Sequence, residues 1–170
     1  MKLKKSLALV LGATLMIGVF AGCGSEQAPK KDTIKFAAET TYPPFEFADG
    51  DKYQGFDVDL ANAIGKETGK KVEFVSMGFD ALIPALQSGQ IDAIASGMVI
   101  TKERLEKIDF SDPYYQVNLI MVVKKDNNTV NGEADIAGKT VAAQIGTTGA
   151  FLAKEKPGTT VDRKSTRLNS

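Results

Sequence analysis

From Thr33 onward the apolar positions fall in two alternating rhythms, one of period two and one of helical period. These are the marks of half-buried strands and of amphipathic helices. Ile34-Lys35-Phe36-Ala37-Ala38 predicts a short strand that ends at Tyr42-Pro43-Pro44-Phe45, where the prolines bar helix and favour extended backbone. Phe45-Glu46-Phe47 and the turn Ala48-Asp49-Gly50-Asp51 predict a hairpin arm. Val58, Leu60, Ala61 and Ile64 then repeat at helical spacing within 57–68, with Asp57 placed as the N-cap and Gly69 as the stop. A strand over 72–75 and a helix over 79–88, with Leu82, Ile83 and Leu86 on one face, follow in the same order. A third strand is expected over 91–95, and a helical turn over 101–106.

Strands that alternate with helices imply a parallel sheet, and the ligand crevice of such a sheet lies beyond the carboxyl ends of its strands. The stretches that follow the three strands are 39–42, 77–79 and 96–99. Residues 119–123 form a continuous β-rich run that leaves this unit, and 124–133 read as polar loop. A further strand over 140–144 and a helix over 150–154, opened by Gly146-Thr147-Thr148-Gly149, begin a second lobe.

Composition narrows the chemistry. The 170 residues include no His and one Cys. That excludes Ser-His-Asp and Cys-His nucleophilic sites, His-ligated zinc, an internal disulfide and a CxxC clamp. The 21 basic and 21 acidic side chains balance overall, but 23–162 hold 15 basic against 21 acidic groups. Such a body is a poor nucleic-acid binder. The positive excess sits at the ends, in Lys2, Lys4 and Lys5 and in Arg163, Lys164 and Arg167. Met1 to Lys5 is cationic, the mostly apolar stretch 7–20 follows, and Phe20-Ala21-Gly22-Cys23 closes it. This is the layout of an export signal, shorter than the roughly 20 residues that span a bilayer. Ala21-Gly22-Cys23 resembles a bacterial lipobox, in which the chain is cut before Cys23 and its thiol acylated. Residues 24–32 then read as a polar tether.

Arg104 is the one arginine in 1–162, a stretch with seventeen lysines. An isolated guanidinium after the third strand fits bidentate recognition of a carboxylate. A helix-surface ion pair with Glu103 or Glu106 is the alternative. Gly146-Thr147-Thr148 stands between a strand and a helix start, where free N–H groups favour an anion; N-capping by either threonine is the alternative. Tyr42 and Phe79, on post-strand loops, are either crevice walls or core. Gly132 and Gly138-Lys139-Thr140 have five intervening residues where a phosphate loop needs four, so a turn before a strand is preferred.

Taken in order, Thr41-Tyr42-Pro43-Pro44-Phe45-Glu46, Gly55-Phe56-Asp57-Val58-Asp59-Leu60, Leu82-Ile83-Pro84-Ala85-Leu86, Ser96-Gly97-Met98, Thr101-Lys102-Glu103-Arg104, Asp109-Phe110-Ser111-Asp112-Pro113-Tyr114-Tyr115 and Gly146-Thr147-Thr148 resemble the polar amino-acid-binding proteins of bacterial ABC importers, the family 3 extracellular solute-binding proteins. The resemblance implies an α/β, periplasmic-binding-protein-like fold of two lobes that close on one free L-amino acid, without catalysis or cofactor. It gives Arg104 the ligand α-carboxylate, with N–H groups of Val99 and Thr148, and the Gly97 carbonyl, beside Ser96, the α-ammonium. Tyr42 and Phe79 become the walls around the ligand side chain, and Glu39 reads its polar or cationic tip. Gln144, Thr147 and Thr148 are the second lobe's contribution. Where many members have Thr or Ser, this chain has Val99, so one hydrogen bond worth roughly 1.5–3 kcal/mol to a charged group is not inherited.

The expected organisation is a signal peptide at 1–22, a tether at 23–32, a nearly complete first lobe at 33–118, and a hinge strand with the start of lobe two at 119–162. A non-native tail is expected at 163–170. The expected protein is a monomeric lipoprotein, exported and anchored at Cys23, that hands a polar or basic amino acid to a membrane permease. An enzyme of the cyclohexadienyl dehydratase kind and the sensor ectodomain of a signalling kinase are the competing classes.

Overall fold

The computed structural model describes residues 32–163. The expected export signal, Cys23, nearly all of the tether and residues 164–170 lie outside them. In chain order the elements are β1 (Thr33–Ala38), β2 (Thr41–Tyr42), β3 (Glu46–Asp49), β4 (Lys52–Gln54), α1 (Phe56–Thr68), β5 (Lys71–Ser76), α2 (Phe79–Gln87), β6 (Ala93–Ile94) and α3 (Lys102–Leu105). A single 3-10 turn, Glu133–Ile136, precedes β7 (Thr140–Ala143), α4 (Thr148–Lys154) and β8 (Thr160–Arg163).

The predicted parallel sheet forms in the order β5-β1-β6, with Phe36 opposite both Phe74 and Ala93. As the central strand, β1 is covered on both faces and its alternation divides the core. Phe36 packs with Ala61 of α1 and with Ile34, Val72 and Phe74 on one side. Ala37 packs with Leu82, Ala85 and Ile91 on the other. Leu82 is fully buried, and such burial of a leucine stabilises by about 1.5–3 kcal/mol. Gly65 lets α1 settle onto β5, because a Cβ there would lie 2.3 Å from Val72 Cγ2. Gly69 ends α1 as predicted, in the left-handed conformation at φ 66, its N–H turned back to the Gly65 and Lys66 carbonyls.

Asp57 departs from its predicted role as N-cap. Gly55 occupies that position without a side-chain cap, and Asp57 is fully buried inside the first turn of α1. Its carboxylate is drawn inward by the Gly97 N–H at 2.7 Å and the Tyr114 hydroxyl at 3.1 Å. Thr101 does cap α3, accepting from the Arg104 N–H.

The hairpin arm is an antiparallel sheet, β2-β3-β4. Its ring Phe45 stacks on Tyr42 with centroids 5.3 Å apart and meets the edge of Tyr115 at 5.0 Å, which fastens the 109–115 segment to the arm. Beyond that segment, residues 119–123 form no paired strand among the described residues, and Ile120 and Val122 are 76% and 75% exposed. A run apolar on both faces is the pattern of a strand covered on both faces, and here the run stays largely exposed. Residues 140–163 form a β7-α4-β8 unit whose strands are parallel, with Thr140 opposite Thr160.

Candidate functional site

The loops beyond the carboxyl ends of β1, β5 and β6 converge, and they carry most of the residues singled out by sequence. They form two groups joined by the short stretch 96–99.

The first group surrounds Arg104. Although it sits on the one-turn helix α3, Arg104 as a residue is only 4% exposed. Nη1 donates to the Val99 carbonyl and Nη2 to the Gly146 carbonyl at 2.9 Å, while Cζ lies 5.5 Å from the Phe79 ring centroid. The surface ion pair does not form: Glu103 bonds Lys107 instead, at 2.9 Å. Burial lowers the Arg104 pKa, with Glu103 opposing, and a guanidinium keeps its proton under such a shift. No described carboxylate forms an ion pair with it. A buried fork facing carbonyl oxygens and no fixed anion is suited to an anion that arrives from outside.

Glu39, Tyr42, Ser96 and Gly97 form the second group. Glu39 follows β1, half-buried; its N–H donates to Ser96 Oγ at 3.0 Å and its carboxylate accepts from the Thr41 hydroxyl. Ser96 is buried and donates to Glu46 Oε1 at 2.8 Å. Gly97 holds φ 50, and a Cβ there would approach the Tyr42 ring to 3.4 Å, so this loop and that ring lie face to face. Tyr42 itself is 49% exposed, as a wall of an open cleft would be.

The second-lobe candidates are arranged differently. Thr147 caps α4, accepting from the Ala150 N–H, and its hydroxyl donates to the Gln144 carbonyl at 2.8 Å. Capping thus occupies Thr147. Thr148 Oγ1 is buried without a partner. It is Gly146, at φ 78, whose carbonyl reaches Arg104.

Sequence reasoning missed Glu46 and Asp57. Both are buried, at 1% and 0% exposure, directly behind Ser96 and Gly97. Burial first, then Asp57 and Glu39, push the Glu46 carboxyl up to about 8, with the Ser96 hydroxyl pulling the other way. The one signal available was Glu46 itself, a carboxylate between two phenylalanines in a strand. A separate cavity of about 400 Å³, lined by residues including Lys35, Glu73 and Asp92, opens at the opposite end of the sheet and shares no residue with these groups.

Residues 34–169 match the bacterial extracellular solute-binding proteins, family 3. The chain belongs to that family. The arginine-binding extracellular protein ArtP of Bacillus subtilis (strain 168) is 41% identical over 148 residues, which are 85% of this chain and 57% of the relative. Among solved structures, an ancestral arginine-binding protein bound to arginine superposes with a TM-score of 0.73 at 45% identity, covering 80% of this chain and 62% of that one. The ancestral amino acid-binding protein AncCDT-1, a precursor of cyclohexadienyl dehydratase, gives 0.73 at 42% identity, covering 79% and 62%. The fold is the α/β fold of periplasmic binding proteins, and the chain spans about half the length of the curated relatives it matches.

Proposed function

We propose that this chain belongs to an extracytoplasmic receptor that captures a polar or basic L-amino acid and delivers it to an ABC permease in the membrane. The observation that carries the reading is Arg104: a residue 4% exposed at the strand ends, whose guanidinium has two carbonyl acceptors and, among the described residues, no carboxylate. The α-carboxylate of an amino acid is the partner of matching shape and charge. In this reading the Gly97 carbonyl takes the α-ammonium beside Ser96, and the Val99 and Thr148 N–H groups assist Arg104. Tyr42 and Phe79 wall the side chain, Glu39 faces its tip, and Gln144, Thr147 and Thr148 close from the second lobe. An acidic Glu39 between aromatic walls suits a guanidinium or ammonium by charge and cation–π attraction. The arginine-binding names of the relatives support a basic ligand.

The proposal extends to the organisation read from sequence, with residues 33–118 as the first lobe, 119–162 as hinge and second-lobe start, and Cys23 as the lipid anchor of an exported monomer. The test is a thermal-shift and calorimetric screen of the twenty amino acids against a two-lobed protein carrying this sequence at the length of its relatives. Arginine or another polar amino acid raising the melting temperature is expected, since only a ligand of the folded form does so. No response to any amino acid, or turnover of prephenate, would refute the receptor reading.

A further inference from the structure

Behind the cleft lies a pair of buried acids that ligand contact does not explain. Glu46 comes from β3 and Asp57 from α1, elements brought together by the close approach of Gly55 to the Phe45 carbonyl. Each acid grips the loop after β6 with one oxygen: Ser96 Oγ donates to Glu46 Oε1, and the Gly97 N–H donates to Asp57 Oδ2. Ser96 Oγ in turn accepts from the Glu39 N–H, so the grip passes through to the residue proposed to read the ligand tip. The other oxygen of each acid, Glu46 Oε2 and Asp57 Oδ1, is buried and has no partner when both groups are written as carboxylates. Two ionised acids buried side by side, each with a bare oxygen, are costly; one proton between them answers both the repulsion and the missing hydrogen bonds.

We propose that Glu46 and Asp57 are positioning residues of the binding cleft, sharing one proton across their unpartnered oxygens and so fixing the Ser96-Gly97 loop from behind. The groups that act on this pair from the packed elements are Ser96 after β6, Glu39 after β1, and Tyr114 of the 109–115 segment, which donates to Asp57 Oδ2. None is a cation. Among the described residues, no three His, Cys, Asp or Glu side chains stand close enough to hold a metal ion. The raised value of about 8 for Glu46, caused first by its burial, agrees with a proton held at neutral pH. Losing that proton puts a second charge beside Asp57, and the loop that both acids grip must shift.

The effect on ligand capture rests on the amino-acid reading above; the positioning of the loop does not. Isotope-labelled chain is titrated by NMR between about pH 6 and pH 9.5, following the Glu46 carboxyl carbon and the Ser96 and Gly97 amides. A common midpoint near 8 is expected, absent from the amide signals of Glu46→Gln, which keeps the shape without the ionisation. Asp57→Asn is the second variant, and removing its charge is expected to move the midpoint down. Flat amide signals, a titration that persists in Glu46→Gln, or an unmoved midpoint in Asp57→Asn would each overturn the proposal. In the two-lobed protein, arginine affinity is expected to fall by up to about tenfold per pH unit above the midpoint and to lose this dependence in Glu46→Gln. If the loop titrates while arginine binds at no pH, the amino-acid reading fails and the shared proton stands.

Discussion

Replacing Arg104 by Ala separates a binding role from a structural one. The guanidinium makes two hydrogen bonds, to Val99 O and Gly146 O, and lies over Phe79. Bonds from a charged donor contribute about 1.5–3 kcal/mol each. Against them stands the desolvation of the cation, whose residue is 4% exposed, an opposing cost on the order of several kcal/mol. The two nearly offset, so Arg104→Ala is expected to change the unfolding free energy by no more than about 2 kcal/mol. Binding has no such offset. A ligand carboxylate placed in the cleft would lose its charged partner, a loss of about 2–5 kcal/mol, or roughly a 30- to 4,000-fold rise in Kd. Urea unfolding supplies the first quantity and calorimetry with arginine on the two-lobed protein the second. Arg104→Lys keeps the charge but not the planar fork, and should fall between. Affinity within threefold of the parent in Arg104→Ala would refute the carboxylate role.

Stability should also depend on pH through Glu46. An acid held at about 8 in the fold and at an ordinary 4.5 when unfolded binds its proton more tightly in the folded chain. The stabilisation is therefore full below 4.5, declines by up to about 1.4 kcal/mol per pH unit as pH rises toward 8, and is gone above it. Glu46→Gln removes that slope, and urea midpoints across this range that track the parent would contradict it. Gly55→Ala should cost about 3 kcal/mol or more, because φ is 119 and the added methyl would lie 2.3 Å from Phe45 O; a measured loss below about 1 kcal/mol would speak against the packing described. Ile120→Lys with Val122→Lys should reduce dye binding and association of the chain, with at most about 0.5 kcal/mol change in stability per site, since both side chains are three-quarters exposed. Unchanged association by light scattering would show that this run is not the adhesive surface.

The helices, the parallel strands and the glycine stop at Gly69 were legible because their causes are local: periodic apolar positions and a residue tolerant of positive φ. Asp57 was misread for the same reason. An acid at the start of an apolar helix satisfies every local rule for a cap, and what places it inside the fold is a hydrogen bond to Gly97, forty residues on, and another to Tyr114. Residues 119–123 read as a β-rich run, yet they form no paired strand among the described residues, because pairing belongs to the partner strand as much as to the run. Arg104 stood out by rarity, a property of composition. Its acceptors did not, because both are backbone carbonyls, and which way a carbonyl points is set by loop conformations such as φ 78 at Gly146. A cleft whose acceptors are main-chain groups is written in the glycine positions and strand ends that aim them. Side-chain chemistry alone therefore locates the charge of this site and leaves its geometry to the fold.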